Sequence, residues 1–391
     1  MITQFLVTAN RNAADSVCAS VGLMASRRRL APAATATAAA TAAVTVTVTL
    51  ILALSACAGA GGPSASSSLS APAASLLHWS GVHHVKRVVD LAGPARDGTL
   101  VVATNGRLAL LRPAGRSRPS PAGRLRPFAR GPNGYSGSAG LEPYITLATG
   151  QRDRRAGCGF GAGTVYALRL GGRRGVTAVD AAGVAHDFVN LPGRGLENGI
   201  AFDSTGGFGN RLLVTSVANG QTTVFAIDCR GHTSTLTRDA PRVEGGIAVA
   251  PRSFGHFGGD LIAPDEITGR IYAIAPSGKS RLVADSGLAH GQDIGVESGG
   301  FVPAGFGAGW TALVSDRQTP RNRHPGDDLV LGLTGAALTH HGLHPGDLLL
   351  VGEGGGAAID VSCGSTCRVR EIADGPAVAH VEGHVVFSHT R

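Results

Sequence analysis

Apolar residues in this chain fall in short alternating runs separated by glycine, and almost nowhere at helical spacing. Leu212 to Ser216, Thr223 to Asp228 and Thr233 to Thr237 make one such series. Asp260 to Pro264, Arg270 to Ala275 and Ser280 to Ala284 make another. Period-two alternation bounded by Gly, Asn and Ser predicts strands joined by tight turns. The one helix predicted is Ala336 to Gly342, next to His340 and His341. Both strand series follow a similar header, Glu197-Asn198-Gly199-Ile200-Ala201-Phe202-Asp203 in the first and Glu244-Gly245-Gly246-Ile247-Ala248-Val249-Ala250 in the second. A Phe-Gly turn follows each header, Phe208-Gly209 and Phe257-Gly258. A header and three further strands make four short antiparallel strands in roughly 50 residues, the size of one propeller blade.

The headers can be counted along the chain. Glu142, Asn198, Glu244 and Asp293 are 56, 46 and 49 residues apart, and Glu382 follows at 89, nearly two repeats. One blade without a header is therefore expected between, from Asp347 to Gly352, Ala357 to Ser362 and Val369 to Ala373. Gly98 to Thr104, Gly106 to Leu111 and Leu125 to Ala129 read as three strands lacking an inner one, whereas only His384 to Ser388 remains after Glu382. The C-terminal strand is thus expected to pair with this N-terminal blade, which would hide two open sheet edges.

These blades resemble those of NHL-repeat and SMP-30/gluconolactonase-like six-bladed β-propellers, clearly over residues 196–288 and more loosely over 81–391. The fold expected is all-β, six blades of four antiparallel strands, with five blades plus an insertion at 300–345 as the alternative. Header residues in a propeller converge beside the central channel, here Glu142, Asn198, Glu244, Asp293 and Glu382. Oxygen ligands from different blades suit Ca²⁺ or another divalent ion. The resemblance implies a metal held by Glu142-Pro143, Asn198-Gly199 and Asp293, at positions similar to the family's Glu, Asn and Asp. Glu142 lacks the glycine that precedes proline in the family, and Asp293 is followed by Ile294 rather than glycine. On a lactonase or esterase reading, Asp293 or Glu244 would act as base. Separately, His380, Glu382 and His384 would share one face of a strand, two imidazoles and a carboxylate able to take zinc or a similar ion.

The N-terminus changes the picture of where this domain works. Arg27, Arg28 and Arg29 precede an apolar run from Ala43 to Leu54, which ends in Leu54-Ser55-Ala56-Cys57. The run is about a dozen residues where a membrane span needs about 20, so a cleaved secretory signal is expected. Its ending resembles a bacterial lipobox, with Cys57 lipidated; of the two possible starts, Met1 and Met24, the residues before Met24 read as an over-long start, because the Arg cluster then begins three residues after a methionine. Residues 1–57 are read as the signal, 58–80 as a flexible Gly/Ser/Ala/Pro linker and 81–391 as the propeller. The expected location is extracytoplasmic, anchored to the bacterial membrane.

Four cysteines follow the signal, and an oxidising compartment favours disulfides. Cys363 and Cys367 flank a Gly-Ser-Thr turn, which leaves Cys158 for Cys229. Beyond residue 56 the chain has 31 basic and 26 acidic residues, against 35 and 27 in all, because Arg11, Arg27, Arg28, Arg29 and Asp15 drop out. With two Trp and four Tyr for stacking, nucleic acid is not an expected partner. The Gly278-Lys279-Ser280 turn lacks the glycine a phosphate loop needs, since Ala273 stands in its place. The leading expectation is a surface-tethered module binding a small molecule, an envelope polymer or a protein. A metal-dependent hydrolase and a structural docking platform are the alternatives.

Overall fold

The computed structural model describes residues 75–105, 107–112, 125–130 and 142–389; Cys57, the signal and most of the linker lie outside the described residues. The described chain is all-β in a propeller-like arrangement, with one short α-helix, Gly335–His340, that starts one residue before the predicted stretch and ends two residues short of it. Thr334 caps that helix by accepting the Ala337 amide on its hydroxyl.

Four sheets are antiparallel and four-stranded, each a simple meander that runs from an inner strand outward in chain order. Their inner strands are Val88–Ala92, Ile145–Leu147, Leu196–Phe202 and Ala248–Val249. A nine-stranded sheet consists of two antiparallel four-stranded halves that meet at one parallel bridge, Gly299 with His384, and Leu77–His78 adds a short parallel strand at the outer edge of the first half. One half places Val296–Phe301 innermost, followed by Leu348–Gly352, Ala358–Cys363 and Cys367–Asp374. The other starts from Val381–His389 and continues through Trp310–Asp316 and Leu329–Thr334 to Ser80–His84.

This topology corrects two expectations. The C-terminal strand pairs with Trp310–Asp316, not with the sheet around Leu100, whose inner strand is Val88–Ala92. Asp90 interrupts the apolar alternation of Val88–Ala92 and hides the strand from pattern reading, yet all five of its residues are buried. Ordered sheet also begins inside the stretch read as linker, at Leu77–His78 and Ser80–His84. Trp79 between them is 5 % exposed, and its indole N–H donates to the Gly356 carbonyl. This buried ring, with its polar group paired, anchors the segment together with the strand pairings on either side of it, to Ala373–Asp374 and to Leu329–Gly332.

Between sheets the core is aliphatic, with edge-on aromatic contacts where Phe160 meets Tyr166 and Phe202. Ile200, Leu212 and Phe225 are essentially inaccessible, and each such side chain contributes about 2–3 kcal/mol on burial. Both expected disulfides are present. Cys158–Cys229 closes a 71-residue separation and Cys363–Cys367 a 4-residue one. By loop-closure entropy the first is worth about 4 kcal/mol and the second about 2. Among the described residues no helix is long and apolar enough to cross a membrane.

Candidate functional site: a buried glutamate well

Inner strands begin at one end of the central axis, and the second strand of each sheet, running antiparallel, ends there. Residues at those two places are therefore brought together. Glu297 and Glu382 lie in the inner strands Val296–Phe301 and Val381–His389, and Glu244 lies just ahead of Ala248–Val249. Glu266, Arg317 and Glu353 each follow a second strand directly, after Asp265, Asp316 and Gly352. Glu142 and Tyr144 precede the inner strand Ile145–Leu147.

The result is a well of six glutamates: Glu142, Glu244, Glu266, Glu297, Glu353 and Glu382. Glu297, Glu353, Glu382 and Glu266 are buried, while the Glu142 side chain keeps 29 % exposure and opens the well to solvent. Facing them are Arg242, Arg317 and His380. Arg317 Nη1 bridges Glu142 at 2.7 Å and Glu382 at 2.9 Å. Arg242 contacts Glu244, and Glu266 at 3.0 Å. His380 Nε2 lies 3.0 Å from Glu353 and 3.2 Å from Glu382. Six carboxylates against three cations leave an excess of three negative charges if all ionise.

Burial makes that excess expensive, and the pKa values move to relieve it. Glu142 is pushed up to about 7 by burial and by Glu382, and Glu244 to about 8 by burial and by Glu266. Glu353 rises to about 8, also mainly from burial. Glu297 is pushed well above the carboxylate range by burial and then by Glu382, Glu353, Glu142 and Glu244. For Glu382 burial pulls upward, but Arg317 and His380 outweigh it and hold the group below its ordinary value. His380, despite burial, is driven up to about 10 by hydrogen bonds to Glu353 and Glu382. It is an imidazolium at neutral pH.

Tyr144 shows the same pressure. Its hydroxyl lies within hydrogen-bond reach of Glu297, of Glu382 at 2.8 Å and of Glu142 at 3.1 Å. A phenol has one proton to donate, so three facing carboxylates cannot all be ionised acceptors. Without a further cation the well must store protons.

Three sets of side chains have ligand atoms within 4.8 Å of one another: Glu353, His380 and Glu382; Glu142, Glu297 and Glu382; and Glu266, Glu297 and Glu353. In the first the imidazolium already sits between its carboxylates, and in the second Arg317 does. In the third set Arg242 pairs with Glu266 and His380 with Glu353 Oε1, each from one side, and no cation among the described residues bridges two of its carboxylates. Glu297 has no cationic partner among the described residues, and Glu353 Oε2 is buried with no hydrogen-bond partner. All three side chains offer hard oxygen, the donor type that suits Ca²⁺.

The structure brings Glu142, Glu244, Glu382 and His380 together and places three other sequence candidates elsewhere. Asn198 is buried and occupied structurally, donating to the Val243 carbonyl at 2.7 Å and accepting from Thr215. Asp293 is exposed on the turn before Val296–Phe301, at φ 62°. Of the two residues read as bases, then, one is outside the well and the other is ion-paired to Arg242. His384 is separated from His380 and Glu382 by a bulge at Gly383, φ 74°, that breaks strand alternation. It faces Asp90 instead.

Glu266, Glu297, Glu353, Arg242, Arg317 and Tyr144 were missed from sequence. The Glu297 signal was present: Glu297-Ser298-Gly299 matches Glu197-Asn198-Gly199 and Glu244-Gly245-Gly246, four residues beyond Asp293. Glu266, Arg317 and Glu353 lie at second-strand ends, which no header search visits, whereas Tyr144 and Arg242 each lie two residues from a header glutamate and were passed over because neither is a carboxylate.

No family model matches the chain, and no curated protein matches it. Solved structures similar to it include nidogen from a nidogen/laminin complex, 11 % identical over 78 % of this chain and 87 % of that one, with a TM-score of 0.44. A streptogramin B lyase is 12 % identical over 75 % and 72 %, with a TM-score of 0.41. A catalytically inactive virginiamycin B lyase from Staphylococcus aureus, solved with quinupristin, is 12 % identical over 80 % and 95 %, also at 0.41. The propeller-like architecture described above stands on the strand pairings themselves.

Proposed function

We propose that this chain is a six-bladed β-propeller, tethered outside the cell through Cys57, that binds a divalent cation in its glutamate well and recognises a ligand or partner at that end. The six blades are the four separate sheets and the two halves of the nine-stranded one. In the sixth, Val381–His389 is innermost and Ser80–His84 outermost, so both ends of the domain close one blade. The observation that carries the cation reading is the buried Glu353 Oε2, which has no hydrogen-bond partner although Oε1 is paired with His380, beside Glu297, which has no cationic partner among the described residues. Glu266, Glu297 and Glu353 would hold the ion, and Ca²⁺ fits their oxygen-only donor set. Bound Ca²⁺ would cancel two of the three excess charges and release the stored protons. Arg317 and Arg242 keep the surrounding carboxylates oriented.

Calorimetric titration of the metal-depleted protein with Ca²⁺ at pH 8 tests this. One saturable site is expected, weakened by about tenfold to 100-fold in Glu297→Gln or Glu353→Gln, by analogy with the loss of a ligand's support. Glu197→Gln, a buried glutamate outside the three sets, should leave it unchanged. Absence of binding in the unsubstituted protein, or equal loss in the Glu197 control, rejects the site.

A further inference from the structure

At the opposite end of the axis the inner strands finish, and their last residues enclose a cup of about 270 Å³. Every inner strand contributes to it, with Leu91, Leu147, Phe202, Val249, Phe301 and Val386 among the walls. The glutamate well does not continue into it. Inner strands approach so closely at the waist that a Cβ on Gly246 would overlap the Gly383 carbonyl and the Gly299 amide. The cup lining contains no carboxylate, lysine or arginine. Its one titratable group, His384, has both ring nitrogens engaged, Nδ1 by Asp90 at 2.9 Å and Nε2 by the Ile200 carbonyl at 3.0 Å. Walls made by rigid strands give a preformed apolar site near the lower size limit for small molecules, about 300 Å³.

Ser204 lines this cup and also an adjoining cleft of about 480 Å³ bordered by Arg154, Arg155, Thr205 and Asn210. Both arginines are exposed, and neither guanidinium has a partner among the described residues. No carboxylate lines the cleft. The nearby Asp203 is taken up by the amides of Thr205, Gly206, Phe208 and Asn210, which fixes the loop. Arg155 also borders a second cleft with Asp153 and Asp228, whose carboxylates are engaged by backbone amides and by His232. An apolar cup adjoining two free guanidinium groups defines its own complement.

We infer that this end of the propeller binds a small amphiphilic anion, its apolar body in the cup and its single carboxylate on Arg154 and Arg155. The guanidinium fork matches a carboxylate and does not serve an ammonium or, to the same degree, an alcohol. The site is separate from the glutamate well and stands whether or not that well takes a cation.

Calorimetry with octanoate, octanol and octylammonium tests the inference on the same protein. Octanoate should bind about tenfold more tightly than octanol, with octylammonium weakest, tenfold being the scale of one charge-assisted contact. Arg154→Ala with Arg155→Ala should abolish the carboxylate preference and leave octanol binding in place. Ala248→Trp fills the cup and should remove both ligands while far-UV circular dichroism is retained; should it fail to fold, Thr146→Tyr occupies the same space. Glu297→Gln should leave octanoate binding as it was, separating this result from the fate of the cation site. No saturable octanoate binding, or a carboxylate preference that survives loss of both arginines, overturns the inference.

Discussion

Two buried histidine–carboxylate clusters are four residues apart, His380 directly ahead of Val381–His389 and His384 within it, and they are built differently. At His384 the accounting closes. Nδ1 donates to Asp90, Nε2 donates to the Ile200 carbonyl, and so the ring is doubly protonated. Asp90 in turn accepts the amides of Leu91, Ile145 and His384, tying three inner strands together. At His380 the accounting stays open. Nδ1 has no partner, Glu353 Oε2 has none, and the surrounding carboxylates outnumber their cations. Both clusters are buried, charged and close to the axis. What separates a structural node from a candidate site is satisfaction: buried polar groups are normally all paired, and an unpaired set is what a ligand can complete.

Breaking the closed node should have the largest effect. Asp90→Ala strands the His384 imidazolium and three amides, and should cost about 3–5 kcal/mol in urea unfolding. It should leave Ca²⁺ affinity nearly unchanged at temperatures where the variant is folded. A loss below about 1 kcal/mol would mean that the node is not a clamp. The equivalent change in the open cluster should go the other way. Glu297→Gln replaces a carboxyl that burial and four neighbouring carboxylates force the metal-free fold to keep protonated, so that form should be unaffected or gain up to about 1 kcal/mol. A loss as large as that of Asp90→Ala would show that the well is structural too.

The smallest but most discriminating effect is on pH dependence. In the cation-free fold Glu142 titrates at about 7 and Glu244 and Glu353 at about 8, against 4.5 ordinarily. The folded state then holds protons that the unfolded chain has released. Stability should therefore fall as pH rises from about 4.5 to about 8. His380 has the same sign: raised from 6.5 to about 10, its contribution is whole below 6.5 and is lost as pH climbs through about 10. Saturating Ca²⁺ should recover stability at pH 8 and much less at pH 5, where it must displace protons. Thermal midpoints that stay level from pH 5 to 8 without Ca²⁺ would contradict the charge excess.

Much of the strand pattern could be read locally. Leu212–Ala218, Arg270–Ile274 and Ala358–Cys363 all fall within a residue or two of their predicted ends, because alternation and turn glycines are short-range signals. The disulfide partners followed from count and spacing. Half of the well was also legible: Glu142, Glu244, Glu382 and His380 were visible as residues ahead of inner strands. Glu266 and Glu353 were not, since nothing near them in sequence says that a second strand ends beside the axis.

The chain by itself determined that the fold is all-β, where its repeats fall, which cysteines pair and that acidic residues gather at strand starts. These depend on periodicity and spacing over a few residues. Only the tertiary structure decided that His384 serves Asp90 while His380 serves the well. The bulge at Gly383 turns one side chain away from the other, and Gly383 is required there because a Cβ would overlap Asp90. The tertiary structure also decided which carboxylates go unpaired, because counter-charges arrive from strands far away in sequence: Arg317 reaches Glu142 across 175 residues. Charge balance in a buried centre is a property of the assembled sheets, and no window of sequence contains it.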